Sequence, residues 1–373
     1  MKLLLTLAGA ITALLSSKSV LAEYGLNMTQ GITDISKDIY GLHMMVFWVC
    51  VAIGVVVFGA MFYSIIAHRK SKGAKAAHFH ESTTVEFLWT GVPILILIAM
   101  AIPASKTLID IEVLDKADMT VKVTGMQWKW QYDYPEEGIS FVSNLSQSSR
   151  DVIDGTPEER EAVDKDDTYL LSVDKRLVVP VDTTIRFLIT SSDVIHNWWV
   201  PEFAVKQDAN PGFINDAWAK PSEIGTYRGQ CAELCGKDHG FMPIVVDVVS
   251  KADYAEWVES MQAEKVAEAA SATMVWTEDD LVAKGETIYN ANCSGCHQKD
   301  GSGMPGVFPA MIGSSVTNGP AADHLNIVIN GKGGMPAFKM LSDSELASVI
   351  TYERRSFGNN GSVVQPSDVT SAR

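Results

Sequence analysis

Residues 231–243 read CAELCGKDHGFMP. Soft thiolates select Cu(I), imidazole suits copper in either oxidation state, and a thioether contact tunes the potential. Cys231, Cys235, His239 and Met242 therefore form a copper ligand set within one loop. A second imidazole is available from His196, which follows a strand-like run in SDVIHNWWVP and precedes a turn. Two thiolates exceed what a single blue-copper ion uses and fit two coppers bridged by both sulfurs. The competing reading is a Cys231–Cys235 disulfide in an oxidising compartment; the spaced His and Met favour metal.

Around this loop the chain alternates with period two. VKVTGMQWKWQYDY, TYLLSV, TTIRFLIT and MPIVVDVV read as short strands separated by Gly, Pro and Asp turns, which predicts an antiparallel sandwich or barrel. Trp128, Trp130, Tyr132 and Tyr134 fall on alternate positions, so one strand face is aromatic. The intervening SSRDVIDGTPEEREAVDKDD is acidic without apolar periodicity and reads as a solvated loop.

Upstream, no charged residue lies between His43 and His68, and MMVFWVCVAIGVVVFGAMFYSIIA is long enough to cross a bilayer, which takes ~20 residues. A second apolar stretch runs over 87–105. Expected helices at about 43–67 and 86–106 make a hairpin over 23–110, and Arg69, Lys70, Lys72 and Lys75 place its connecting loop in the cytoplasm. Thr83 and Glu86 form a candidate capping box at the second helix. Residues 1–22 read as a signal peptide, with Lys2, an apolar run and Val20-Leu21-Ala22.

Downstream, an Ala/Glu-rich stretch over 256–276 fits a helical spacer, about 25 Å from Ser260 to Trp276. A second unit follows over 277–358, with Ser342 and Glu345 as a capping box, and a Gly/Asn/Ser tail over 359–373 is expected to be mobile. CSGCH, residues 293–297, is the attachment signature of a c-type haem: Cys293 and Cys296 form thioethers and His297 ligates iron. A zinc or redox pair competes, but no second cysteine pair with zinc spacing exists in this unit. Met335 in GGMPAF lies far enough downstream to return on the opposite haem face, whereas Met304 in GSGMPG is close to the attachment site; Met335 is the favoured axial ligand.

Composition narrows the function. Apolar residues make up 47% of the 373, and the net charge is −15, so the basic footprint that nucleic acid demands is missing. Cys50, the remaining cysteine of five, lies in the first membrane helix and reads as a packing residue.

CAELCGKDHGFMP, DVIHNWWVP, KQDANPG, GMQWKWQYDYP, TVEFLWTGVPILIL and CSGCH together resemble cytochrome c oxidase subunit II, in the bacterial form with a fused cytochrome c domain. The resemblance implies a multi-domain chain: a two-helix transmembrane hairpin, an all-β cupredoxin-like sandwich over 111–255 and an all-α class I cytochrome c-like domain. It implies a dinuclear copper centre held by His196, Cys231, Cys235, His239, Met242 and the carbonyl of Glu233. The Glu233 carboxylate would help bind magnesium at the boundary with the catalytic subunit. Trp128 would receive electrons above the copper, and Glu86 would sit at a proton-channel mouth, a role its capping-box reading rivals. Implied partners are oxidase subunits I and III and cytochrome c or another periplasmic donor, with the copper and haem domains outside a bacterial inner membrane.

Met126 and Phe213 stand where the family commonly has His and Arg, which touches contacts near the magnesium site and not the copper ligands. His43, His68, His78, His80 and His324 have no partnered donors in sequence and read as surface or interface residues. The expected activity is electron relay to a separate oxygen-reducing subunit. A nitric oxide reductase of the haem-copper type is the alternative acceptor; a quinol oxidase subunit would lack copper ligands, and a copper-assembly factor has no use for a covalent haem.

Overall fold

The computed structural model describes residues 27–75, 78, 80–114, 116–162 and 168–373. The expected signal peptide lies outside the described residues. One compact unit holds Asp38–Met100, most of an apolar hairpin; the other holds Gly31–Lys37 and Ala101–Arg373.

Helices α1 (Asp34–Ala67) and α2 (Thr83–Glu112) form the hairpin and are longer than the apolar runs alone predicted. Their apolar side chains face outward; Val55, Val56 and Phe87 are about 70% exposed, an arrangement that only a lipid surround stabilises. Thr83 is already helical, and the Glu86 amide bonds to the Ser82 carbonyl, so Thr83 is not the cap that the sequence suggested.

Two five-stranded sheets follow. Strands β1 (Met119–Met126), β2 (Lys129–Tyr134) and β3 (Ile139–Ser143) lead into α3 (Gln147–Asp154) and α4 (Pro157–Ala162). Then come β4 (Leu177–Pro180), β5 (Ile185–Ser191), β6 (His196–Val200), β7 (Val205–Ala209), β8 (Asn215–Ala219), β9 (Gly225–Cys231) and β10 (Pro243–Val249). The strand orders are β3-β2-β1-β5-β8 and β4-β10-β9-β6-β7. The sheets are mixed rather than antiparallel: β1 runs parallel to β5, and β4 to β10, because the chain crosses between the sheets before returning.

Trp130, Tyr132, Tyr134, Phe187 and Trp198 are fully buried between the sheets. A side chain of Phe size buried this way contributes roughly 1.5–3 kcal/mol. The Tyr134 hydroxyl donates to the Val178 carbonyl at 2.9 Å, which satisfies its polar end. The aromatic stripe is interrupted at Trp128, which sits in the turn between β1 and β2. TYLLSV forms turns, with only Val173 bridging to Leu145.

The acidic stretch is not simply a solvated loop. Ser146 caps α3 by accepting the Ser149 amide, and Arg150 on that helix is buried against Asp238, 2.9 Å away. Residues 163–167 of the stretch lie outside the described residues.

Helix α5 (Lys251–Ser271) takes the place of the expected spacer, and its first half belongs to the sandwich. Tyr254, Trp257, Val258 and Met261, at helical spacing, pack on the sandwich core. Further along, Glu268 accepts hydrogen bonds from Ser342 and Ser344 and faces Lys284 at 3.6 Å.

The helical domain comprises α6 (Glu278–Asn292), α7 (Ser294–His297), α8 (Ala321–Asn330), α9 (Asp343–Arg355) and α10 (Pro366–Ala372). Helices α6 and α9 cross closely at Gly285, where a Cβ would lie 2.1 Å from the Ser348 carbonyl oxygen. Ser342 and Glu345 form the capping box of α9. The tail, expected to be mobile, instead packs: Val364 and Val369 are fully buried, and the Thr351 hydroxyl and Val364 backbone exchange two hydrogen bonds.

Candidate redox centres

His196 opens β6, Cys231 closes β9 and Met242 precedes β10, and these strands are neighbours in one sheet, with Trp198 paired to Cys231. The sheet register therefore brings the donors together. The Cys231 and Cys235 sulfurs lie 3.8 Å apart, both free. His196 Nδ1 is 3.9 Å from Cys231 Sγ, and His239 Nδ1 is 3.5 Å from Cys235 Sγ. Met242 Sδ is 3.5 Å from Cys235 Sγ, and the Glu233 carbonyl lies 3.3 Å from Cys231 Sγ. Each thiol thus has its own imidazole, while the thioether and carbonyl sit at opposite ends, a donor set that fits copper.

Of these candidate donors, His196, Cys231, Cys235 and Met242 are buried, His239 is half-buried and Glu233 is exposed. His196 is fully buried, and its Nε2 faces Asp193 Oδ1 at 2.9 Å, which turns Nδ1 to the sulfurs. Asp193 also accepts the Gln127 amide at 2.7 Å. Gly125 on β1 leaves room for the imidazole, since a Cβ there would lie 2.9 Å from His196 Cδ2. The Trp128 indole and the Gln127 side chain both donate to the Cys235 carbonyl, at 3.1 and 2.8 Å. The Trp130 indole donates to the Met242 carbonyl at 3.2 Å.

A hydrogen bond from Cys235 draws the Cys231 thiol down to about 3, with His196 lowering it further against burial, and the same contact pushes the Cys235 thiol up. The pair shares one charge and one proton, and a soft cation binds by displacing that proton. Burial opposes charge on His196, but the Asp193 hydrogen bond and the Cys231 sulfur outweigh it and raise its pKa.

In the helical domain, His297 is buried, and its Nδ1–H donates to the Pro309 carbonyl at 2.8 Å, which leaves Nε2 for iron. Cys293 packs on the helical core, whereas Cys296 packs on the sandwich core. Both thiols are free, and with the oriented His297 they fit covalent haem. Met335 packs on the helical core and closes a turn with Lys332 through two backbone bonds of 3.1 Å. Met304 bridges Phe308 instead.

The haem-attachment loop rests on the copper domain. A Cβ at Gly295 would lie 3.8 Å from Trp128 Cε3 and 3.3 Å from the Asp238 carboxylate. The Lys237 ammonium donates to the Gly295 carbonyl at 3.0 Å, and Lys129 donates to Asn292 Oδ1 at 2.8 Å. Trp128 is only 8% exposed beneath this contact.

Two expected site residues stand apart. Glu233 presents an exposed carboxylate, and His196, Cys231 and Cys235 are the only metal-binding cluster of His, Cys and acidic groups among the described residues. Glu86 is exposed on the first turn of α2. Asp193 was missed by the sequence reading, although an acid three residues before a ligating His is a readable signal. His324, expected at the surface, is 2% exposed and bonded to Glu353 at 2.8 Å.

An apolar hairpin followed by a sandwich with a buried thiolate–imidazole cluster and a helical haem-attachment domain defines a membrane-anchored electron-transfer protein of the cupredoxin-like class. The family described as cytochrome c oxidase subunit II, periplasmic domain, matches residues 119–249, and its transmembrane-domain counterpart matches 22–107. Residues 280–352 match the family described as cytochrome c oxidase, cbb3-type, subunit III. The probable cytochrome c oxidase subunit 2 of Rickettsia bellii is 36% identical over 70% of this chain and 93% of its own length. Cytochrome c oxidase subunit 2 of Cereibacter sphaeroides is 37% identical over 63% of this chain and 80% of its own. The crystal structure of the periplasmic domain of subunit II of cytochrome oxidase (CoxB) of Bradyrhizobium japonicum is 42% identical, covering 41% of this chain and 99% of that one, with a TM-score of 0.35. The chain belongs to the cytochrome c oxidase subunit II family and carries a C-terminal cytochrome c domain.

Proposed function

We propose that this chain is the electron-receiving subunit of a bacterial respiratory cytochrome c oxidase, relaying electrons from its own haem to a dinuclear copper centre and on to a separate catalytic subunit. The observation that carries the reading is the position of Trp128. Its indole N–H bonds the carbonyl of the copper ligand Cys235, while the haem-attachment loop lies on the same ring system. The cofactors supply one-electron storage; the protein supplies orientation and fixed geometry.

Cys231, Cys235, His196, His239, Met242 and the Glu233 carbonyl would hold the copper centre, the two thiolates as its soft anionic donors. Supporting bonds from Asp193, Gln127, Trp128 and Trp130 hold these donors in one arrangement, so a change of charge requires little movement. Cys293 and Cys296 would anchor the haem, and His297 and Met335 would hold its iron.

The exposed Glu233 carboxylate would share a magnesium ion with the catalytic subunit, and Glu86 would face a proton channel there. Subunits I and III, an external cytochrome c and the inner membrane complete the proposed setting.

Rapid mixing tests the relay. In the purified oxidase, haem reduced beforehand should be oxidised at a rate independent of protein concentration and weakly dependent on salt. Tethering gives an effective concentration on the order of millimolar. Removing the residues after about Ala270 and adding the haem domain back free should make transfer slow and second order. If the truncated oxidase turns over as fast with an external cytochrome alone, the relay is wrong. Supplying oxygen or nitric oxide to the same complex separates the two acceptors.

A further inference from the structure

Lys129 opens β2 between Trp128 and Trp130, so strand alternation turns it away from the aromatic core. It is nevertheless only 3% exposed, because the helical domain covers it. Its ammonium donates to Asn292 Oδ1 at 2.8 Å and stands 4.7 Å from the Phe338 ring centroid. Asn292 directly precedes haem-attachment residue Cys293, and Phe338 lies three residues after Met335. The ammonium is therefore held between the two segments that would carry the haem. Both contacts are neutral. The carboxylates that act on Lys129, Asp174 and Asp193, are bonded to Asn144 and His196 instead, and no ion pair reaches the ammonium among the described residues. Burial brings its pKa down to about 8, which leaves it charged at pH 7. A cation enclosed this way responds strongly to a change of charge nearby, because low-dielectric surroundings screen little.

We propose that Lys129 is the charge by which the copper domain sets the haem potential, favouring the reduced state while the two domains are in contact. The inference rests on haem attachment at Cys293 and Cys296. Reduction moves one electron from an external one-electron protein donor to the haem; the donor is oxidised by one electron, and no bond or proton changes place. The haem loses one positive charge, repulsion by the ammonium falls, and the electron is held more tightly than it would be without Lys129. By reciprocity, reduction strengthens the contact that buries the lysine. Electrons are thus taken up preferentially in the arrangement in which the haem-attachment loop lies on Trp128, the one from which they can leave toward copper.

Lys237 provides a comparison within the molecule. It too comes from the copper domain and touches the attachment segment, donating to the Gly295 carbonyl at 3.0 Å, but it is exposed. Water and salt screen an exposed charge far more than a buried one, so its effect on the potential should be the smaller. Arg150, the copper domain's third cation beside this segment, is neutralised by Asp238.

The test is potentiometry of the full copper-loaded chain at pH 7, with the haem read by its own absorption. At the wild-type midpoint, where reduced and oxidised haem are equal, Lys129→Met should lower the ratio of reduced to oxidised haem about threefold or more, the order expected of one buried charge at an effective dielectric constant near 20. Lys129→Gln, which keeps a donor for Asn292 without the charge, should do the same and stands in if the methionine variant fails to load haem. Lys129→Arg should hold the ratio close to that of wild type, Lys237→Met should shift it less than Lys129→Met, and added salt should leave the Lys129→Met difference in place. An unshifted ratio in Lys129→Met and Lys129→Gln would overturn the proposal. So would an equal drop in Lys129→Arg, which would assign the effect to packing and not to charge. Covalent haem content is measured on every sample by the pyridine haemochrome spectrum. No covalent haem in wild type would overturn the haem reading and this inference together, whereas loaded haem with an unshifted ratio overturns the inference alone.

Discussion

In the copper loop, donors from His196, Cys231 and Met242 stand at the ends of three strands that one sheet holds in register. In the haem domain, the proposed ligands and the His324–Glu353 pair come from α7, a glycine-rich turn, α8 and α9, which no common sheet constrains. The first site is built by backbone hydrogen bonding and stands ready for its metal. The second is a set of helices and turns packed on a core of its own, with no sheet to fix the candidate donors in register. Ligand loss should therefore erase the signal of the copper site without moving its scaffold, whereas in the haem domain it should retune a potential.

The largest effect is expected at Cys235. Cys235→Ser should abolish the electron paramagnetic signal of one electron shared between two coppers and reduce copper content from about two to one or fewer, because one thiolate cannot complete the two-sulfur bridge. A retained shared signal would remove the bridging role. The sandwich should stay folded, since its core of Trp130, Tyr132 and Trp198 is untouched.

The matching test in the haem domain is Met335→Ala. It should lower the haem potential and remove the weak sulfur-to-iron absorption band, since axial ligands set potentials over a range of about 0.8 V. Met304→Ala should change neither. The reverse pattern would transfer the ligand role to Met304.

The two sites also differed in how far the sequence disclosed them. Contiguous features were legible: a ligand loop whose residues are neighbours in the chain, CSGCH, and apolar runs that only a bilayer accommodates. What stayed hidden depended on partners far apart in sequence. Arg150 sits in an acidic segment that looks solvated, yet its partner Asp238 is contributed by the copper loop. Parallel pairing of β1 with β5 cannot be read from period-two alternation, which fixes a strand's faces and not its neighbour's direction. His324 did leave a trace: it lies one turn before Val328, on the buried side of α8 with Leu325 and Ile329. A titratable residue on an apolar stripe calls for a buried partner, but Glu353 could not be named before the helices were placed.

The boundary between the sites supplies the next test. The Arg150–Asp238 ion pair is almost fully enclosed, and Asp238 also faces the haem loop at Gly295. Arg150→Met would leave a buried carboxylate unpaired, which costs about 3–5 kcal/mol. Chemical denaturation of the soluble part should show that loss, and the double variant Arg150→Met, Asp238→Asn should recover part of it. Equal stability of Arg150→Met and wild type would mean that the Asp238 carboxylate finds another partner or reaches solvent at little cost.

The smallest expected effect is at Lys129, and it asks how firmly the two regions hold together. Lys129 is 3% exposed, and its ammonium is bonded to Asn292 and lies 4.7 Å from the Phe338 ring centroid, both in the haem domain. Burial lowers its pKa to about 8, although Cys293 and Cys296 oppose the shift. If the haem domain leaves, the ammonium returns to solvent and holds its proton up to the ordinary lysine range near 10.4. Docking therefore expels a proton between about pH 8 and that range, and it should strengthen as pH rises through the window. Below pH 8 the charged lysine is carried into the contact at a constant cost of at most a few kcal/mol, at 1.36 kcal/mol per pKa unit. Lys129→Met should remove both the cost and the pH dependence. The measurable quantity is the fraction of molecules showing fast first-order transfer between haem and copper. In wild type this fraction should rise between pH 7 and about pH 9; in Lys129→Met it should be higher at pH 7 and flat. A lower fraction in the variant would show that the Asn292 and Phe338 contacts outweigh the desolvation of the ammonium, making Lys129 a clasp for the haem domain and not a brake on its docking.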